Sequence, residues 1–290
     1  MKIQGFVLLS LLVSMVACSE QAQETSHKDV TIKSLRVGFP PDENPDQIIR
    51  KNQPLMDYLK KELGLEKIEI VVPATYTAAV EEMQQGKLDM VYFGGLTYVL
   101  AKRDTDITPI VRGKVDGTVD NYTYIITRTD SGIKSLKELK GSRFAFGDAA
   151  STSGHLIPHR QLRNIGLSPN KDFSKLIYTG AHDKTAYAVY EKQVDAGAMN
   201  ARLLPILINN GKLDGKQIHI LWKSEAFADY PWAARTQLGE DMIEKLAQAF
   251  IKLDDKEILK LLKVEAYERT KDSDFNNIRE AAVTLGFMEK

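Results

Sequence analysis

Short β-branched runs alternate with segments of helical period along most of this chain, and that alternation leaves few folds open. Ser34 to Phe39 reads as a strand ended by Pro40-Pro41. Ile48, Ile49, Leu55, Met56, Leu59 and Leu63 then recur at helical spacing until Gly64. Ile68 to Val72 is a strand, Thr75 to Gln85 a helix stopped by Gly86, Leu88 to Phe93 a strand, and Gly94-Gly95 turns into a helix near Leu96. Strand and helix in strict succession with short turns predict a mostly parallel α/β sheet. Tyr122 to Thr127 reads as a strand leaving this first lobe. A second run follows: strands at Arg143–Phe146, Lys175–Tyr178, Asp195–Met199 and Ile218–Lys223, with helices between them at Ser135–Leu139, Gly154–Asn164 and Lys184–Glu191. Amphipathic helices at Gly239–Leu262 and Phe275–Leu285 return to the first lobe. The expected organisation is lobe one over 34–125, lobe two over 126–224, and a return to lobe one over 225–290. Two α/β lobes joined by two crossings make a cleft with a hinge, a common means of enclosing a ligand.

Ahead of the lobes stands a different kind of segment. Met1-Lys2 is a positive start, Phe6 to Val16 is almost wholly apolar, and Met15-Val16-Ala17-Cys18 precedes a polar run. That order predicts a signal peptide over 1–17, too short to span a bilayer. Cys18 at the cut resembles a bacterial lipobox and is the expected lipidation site, with 18–33 as a lipidated tether to the membrane. As the single cysteine, it leaves the exported body without disulfides, thiol nucleophiles or cysteine metal sites. Acidic and basic residues balance at 39 each, and no Lys/Arg stripe offers a phosphate-backbone footprint, which excludes nucleic acid as the expected partner.

The sharpest local signal is Asp148-Ala149-Ala150-Ser151-Thr152-Ser153-Gly154, between a strand and a helix. A helix start exposes free N–H groups and about half a positive charge, and hydroxyls add donors in several directions, which suits a tetrahedral oxyanion. Such a cluster also serves as a plain N-cap. Ala74-Thr75-Tyr76-Thr77 and Phe93-Gly94-Gly95-Leu96-Thr97 are similar turns at the carboxyl ends of lobe-one strands, where α/β sheets bind ligands. Tyr178-Thr179-Gly180-Ala181-His182-Asp183 is a fourth, whose His182 can donate to an oxyanion or simply cap its helix.

Five stretches together resemble the phosphate/phosphite/phosphonate-binding proteins of ABC importers, a branch of the type II periplasmic binding proteins. They are PDENPDQIIRKNQPLMDYL (41–59), KLDMVYFGGLTYVLA (87–101), FAFGDAASTSG (144–154), YTGAHDKTAYAVYEKQVDAGAMN (178–200) and ADYPWAAR (228–235). The resemblance implies a two-lobed fold, each lobe a mixed sheet flanked by helices with two hinge crossings. It also implies a monomer that needs no cofactor or metal and hands its ligand to permease and ATPase subunits. Carried onto matching positions, it implies an anion held by Ser151, Thr152, Ser153 and His182 from lobe two. Tyr76, Phe93 and Gly94 would serve from lobe one, with a crossing-strand residue near Tyr122, and Asp229 and Tyr230 lining the pocket. Relatives that bind aminoalkylphosphonates hold the amine with carboxylates after the VDAG-like strand; here Met199-Asn200-Ala201-Arg202 has none. The PDENP, FGGLTYV and ADYPW pieces are similar to a subgroup described as selenate binders.

Two other readings have weaker support. Ser151 or Ser153 with His182 and Asp183 would be the suspects for a hydrolase, but no G-x-S-x-G elbow is present and adjacent His and Asp seldom orient one another. His155 and His159, four apart, lack the glutamate of H-E-x-x-H and have Pro158 between them, so they read as packing or exposed residues. A sensory lipoprotein that binds the same anion has the same sequence signature as a transporter component. Asp229, with Asp183 as the alternative, is expected to accept a proton from a ligand P–OH, which would favour phosphite or phosphonate over sulfate or selenate.

Overall fold

The protein's structure is a computed structural model that describes Met1 and residues 32–289. The expected signal peptide, Cys18 and the tether up to residue 31 lie outside the described residues.

Two separate sheets organise the body. The first runs in the order Ala266–Arg269, Ile107–Lys114, Pro231–Arg235, Met90–Tyr92, Ser34–Gly38, Lys67–Val71. Ser34–Gly38 pairs in parallel with both Lys67–Val71 and Met90–Tyr92, while the returning strand Pro231–Arg235 is antiparallel to its two neighbours. The C-terminal part therefore inserts into the middle of the first sheet. It carries Trp232 into a core where its ring meets Phe39 edge-on at 5.3 Å and Phe250 at 5.0 Å. The second sheet runs Ile218–Lys223, Thr123–Arg128, Ala196–Asn200, Arg143–Phe146, Lys175–Tyr178. Between the sheets, Asp120–Asn121 pairs antiparallel with Phe227–Ala228, so the outgoing and returning chains cross side by side. Among the described residues no helix is long and apolar enough to cross a membrane.

Helix boundaries follow their caps more closely than their apolar period. The first helix begins at Pro45 rather than Ile48, because the Asn44 side chain accepts the amides of Asp46 and Gln47 and Pro45 occupies the first turn. The helix expected over Gly154–Asn164 starts earlier, with a π-helical turn at Thr152–Leu156 that passes into an α-helix over Ile157–Asn164. Pro158 explains it. Lacking an N–H, it cannot bond to the Gly154 carbonyl, and that carbonyl is taken instead by the Gly147 amide at 2.9 Å. The proline thus ties the turn back onto the end of its own strand.

Candidate functional site

Four helices begin at the junction of the lobes: Tyr76–Gln84, Gly95–Asp104, the Thr152 helix and His182–Tyr190. Their first side chains meet. The Tyr76 and Tyr230 hydroxyls lie 3.3 Å apart, and Tyr230 Oη is 3.4 Å from His182 Nε2. All three side chains are buried. Gly94 stands directly under them, since a Cβ there would come within 3.7 Å of both tyrosine rings.

The Ser/Thr turn divides its work residue by residue. Ser151 is the cap: its Oγ accepts the Gly154 amide at 2.9 Å. Thr152 Oγ1 instead accepts the amide of Leu96, the second residue of a lobe-one helix, at 2.7 Å, which fastens one lobe to the other. Ser153 Oγ is fully buried and has no partner among the described residues. The amides of Thr152 and Ser153 belong to a first helical turn, which offers no intrahelical acceptor. Gly154 is obligatory where the two lobe-two turns touch. A Cβ there would sit 2.9 Å from Ser151 Oγ, 3.1 Å from His182 Cε1 and 3.2 Å from the Gly147 Cα.

Protonation states follow from burial. His182 is held neutral, its pKa lowered to about 4 by desolvation. Its Nδ1 faces the Asn200 amide at 3.4 Å and so must accept, which leaves the proton on Nε2, directed at Tyr230. Burial also pushes the Tyr76 and Tyr230 hydroxyls well above the usual tyrosine range. The cluster therefore presents neutral donors and helix N-termini, a combination that binds an anion without a direct lysine or arginine contact.

Several expected residues take other positions. The Phe93 ring packs into the lobe-one core, and its amide bonds to the Pro231 carbonyl. The Tyr122 ring lies under the Lys223 ammonium at 3.9 Å. Its neighbours Asn121 and Thr123 are fully buried: Asn121 Nδ2 donates to Asp229 and Thr123 Oγ1 to the Ser153 carbonyl. Asp229 is buried, but both its oxygens are engaged, one by Asn121 at 2.6 Å and the other by Arg202. This corrects the expectation that its carboxylate would take a ligand proton. Burial raises its pKa, with Arg202 and Asn121 opposing.

Nor does a hydrolytic relay assemble. The Asp183 carboxylate accepts the Lys184 amide, and the His182 nitrogen that would need it faces Asn200. His155, expected as a packing or exposed residue, is buried, donates from Nδ1 to the Ala149 carbonyl at 2.7 Å and stacks on His159. Beyond the tyrosine pair lies a chamber of about 570 Å³ bordered by His182, Tyr230, Asn200, Arg202, Asp229 and Asp42. Asn200, Arg202 and Asp42 had no assigned role in the sequence. The lack of a carboxylate at Asn200-Ala201-Arg202 was visible there, but its consequence for Asp229 was not.

Comparison with known proteins now bears on this geometry. The family model described as "ABC transporter, phosphonate, periplasmic substrate-binding protein" matches residues 37–275. The "Probable ABC transporter phosphite binding protein PhnD1" of Prochlorococcus marinus (strain MIT 9301) is 29% identical over 264 residues, covering 86% of this chain and 88% of its own. The "Phosphate-import protein PhnD" of Mycolicibacterium smegmatis is 31% identical over 253 residues, covering 83% and 78% respectively. The solved structure of PhnD1 from Prochlorococcus marinus in complex with methylphosphonate superposes with a TM-score of 0.82 at 28% identity, over 88% of this chain and 99% of that one.

Proposed function

Since this chain belongs to the periplasmic phosphonate substrate-binding family of ABC transporters, we propose that it captures a small phosphorus oxyanion (phosphite, a simple phosphonate or phosphate) between its lobes. The observation that carries this reading is the meeting of Tyr76 Oη, Tyr230 Oη and His182 Nε2 beside the Ser151-Thr152-Ser153 turn. Donors converge there from both lobes. In this reading the anion accepts hydrogen bonds from His182, the two tyrosines, the Ser153 hydroxyl and the free amides of the Thr152 turn. Hydrogen bonds to a charged ligand contribute about 1.5–3 kcal/mol each. Closure adds the Thr152 to Leu96 contact, so the two lobes and the ligand lock together.

Permease and ATPase subunits would receive the ligand from a monomer tethered through a lipid on Cys18. Phosphite, phosphate and methylphosphonate are ligand chemistries that similar proteins bear in their descriptions, and they head the candidates here. Titration calorimetry with phosphite, methylphosphonate, phosphate, sulfate and selenate tests the proposal. Saturable one-to-one heats for a phosphorus oxyanion support it; heats from sulfate or selenate alone refute it.

A further inference from the structure

Four carboxylates border the chamber next to the tyrosine pair, and three of them are accounted for. Asp229 has both oxygens engaged by Asn121 and Arg202. Glu43 is paired with Lys51 at 2.6 Å. Asp116 is exposed on a turn, at a backbone φ of 51°. Asp42 alone is partly buried with no hydrogen bond to its carboxyl from any other described residue. Its backbone carbonyl accepts the His182 amide at 3.3 Å, which seats this lobe-one loop against the start of the helix that presents His182 to the site.

Resting on the oxyanion reading above, we infer that Asp42 shares a single proton with the bound ligand, so that the site favours oxyanions basic enough to hold that proton. An ionised carboxylate beside a desolvated dianion is strongly disfavoured. One proton between them turns the repulsion into a short charge-assisted hydrogen bond. Phosphate-type groups retain or regain that proton close to neutrality; sulfate and selenate are fully deprotonated there and are far weaker bases. Asp229, which its motif would nominate for this task, cannot serve because Arg202 already neutralises it.

The groups around Asp42 are consistent with this role. Burial, joined by repulsion from Glu43 and Asp183, outweighs the attraction of Lys51, so its carboxyl is pushed up to about 7. Tyr76 and Tyr230 both feel its charge and stay protonated, and His182 stays neutral. Lys263, across the chamber, is depressed by burial and responds to Glu43 and Lys51 rather than to Asp42. Asp42 and the ligand are therefore the groups that exchange a proton just above neutrality.

The test is calorimetry with methylphosphonate between about pH 7.5 and 8.5, in buffers of different ionisation enthalpy. The native protein should take up close to one proton per ligand at the upper end, with affinity falling toward tenfold per pH unit. Asp42→Asn can donate an N–H to the dianion without any proton, so its affinity should be nearly flat and its proton uptake near zero. It should also bind sulfate or selenate better than the native protein does. A native slope retained in full by Asp42→Asn overturns the inference and leaves the oxyanion reading standing. So does a native protein that binds methylphosphonate with neither slope nor uptake, a result that needs no variant to fold. Absence of binding to any phosphorus oxyanion overturns the reading and the inference with it.

Discussion

Replacing Thr152 by valine keeps its shape and removes a single hydroxyl, which makes it the cleanest probe of how the lobes and the anion are coupled. Thr152 Oγ1 accepts the Leu96 amide at 2.7 Å, and Leu96 is fully buried. Without the hydroxyl, closure leaves that amide donor unpaired, at a cost of about 1–3 kcal/mol. If the same hydroxyl donates its proton to the anion, about 1.5–3 kcal/mol more is lost from the liganded state. Taking roughly 2 kcal/mol for each, the affinity should fall by nearly three orders of magnitude, and by at least about fivefold from the orphaned amide alone. The helix itself should not suffer, because its cap is Ser151, not Thr152. The unliganded melting temperature should thus change little, since the Leu96 amide reaches water once the lobes part. Calorimetry and thermal unfolding on Thr152→Val and Thr152→Ser measure both sides, with serine expected to recover most of the affinity. A valine variant that loses stability but binds normally would show that the turn is a structural cap and nothing more.

Other outcomes follow from named groups. Arg202→Met strands the buried Asp229 carboxylate of the closed state and should lower the stability of the ligand-saturated protein by about 3 kcal/mol, a loss the Arg202→Met/Asp229→Asn double variant should largely recover; chemical denaturation at saturating ligand showing simply additive losses would contradict the pairing. His155 and His182 are both buried neutral with pKa values near 4. Between about pH 6.5 and 4 the unfolded chain binds more protons than the folded one, so stability is full above this window and falls as pH drops through it. The loss is at most roughly 3 kcal/mol for each histidine. Melting curves of His155→Gln should fall less steeply over that range, and an unchanged slope would remove His155 from the explanation. Cys18→Ala, exported on a replacement cleavable signal, should be soluble and still bind ligand; persistence in membranes after a salt wash would refute the lipid anchor.

The fold was readable because each level of the sequence points the same way. The strands at Arg143–Phe146 and Lys175–Tyr178 are short apolar runs bounded by turns, and the structure keeps both. Helix starts were less legible, since a cap such as Asn44 or a missing N–H such as that of Pro158 outweighs the apolar period. The Ser/Thr turn was visible as a cluster, yet only the geometry separates Ser151 as cap from Thr152 as lobe fastener. Tyr122 was singled out at the crossing, whereas its neighbours Asn121 and Thr123 are the residues that reach Asp229 and the Ser153 carbonyl. Asp229 was read as a free carboxylate because nothing local reveals that Arg202, from the other lobe, reaches it. Asp42 went unassigned although Glu43 and Lys51 lie near it in sequence, because the contact that seats it by the site, with the His182 amide, comes from a segment far along the chain. Pairings across a cleft leave no periodic trace.

Everything proposed for the site depends on a phosphorus oxyanion being what the lobes enclose. The most direct measurement is a calorimetric titration of the native protein near neutral pH with methylphosphonate or phosphite, repeated with His182→Ala. The expected result is saturable one-to-one binding by the native protein, weakened by about tenfold or more in the variant through loss of one hydrogen bond to a charged ligand, with the variant still folded. Native protein that ignores both phosphorus ligands, or binding that His182→Ala leaves untouched, would contradict the site assigned here.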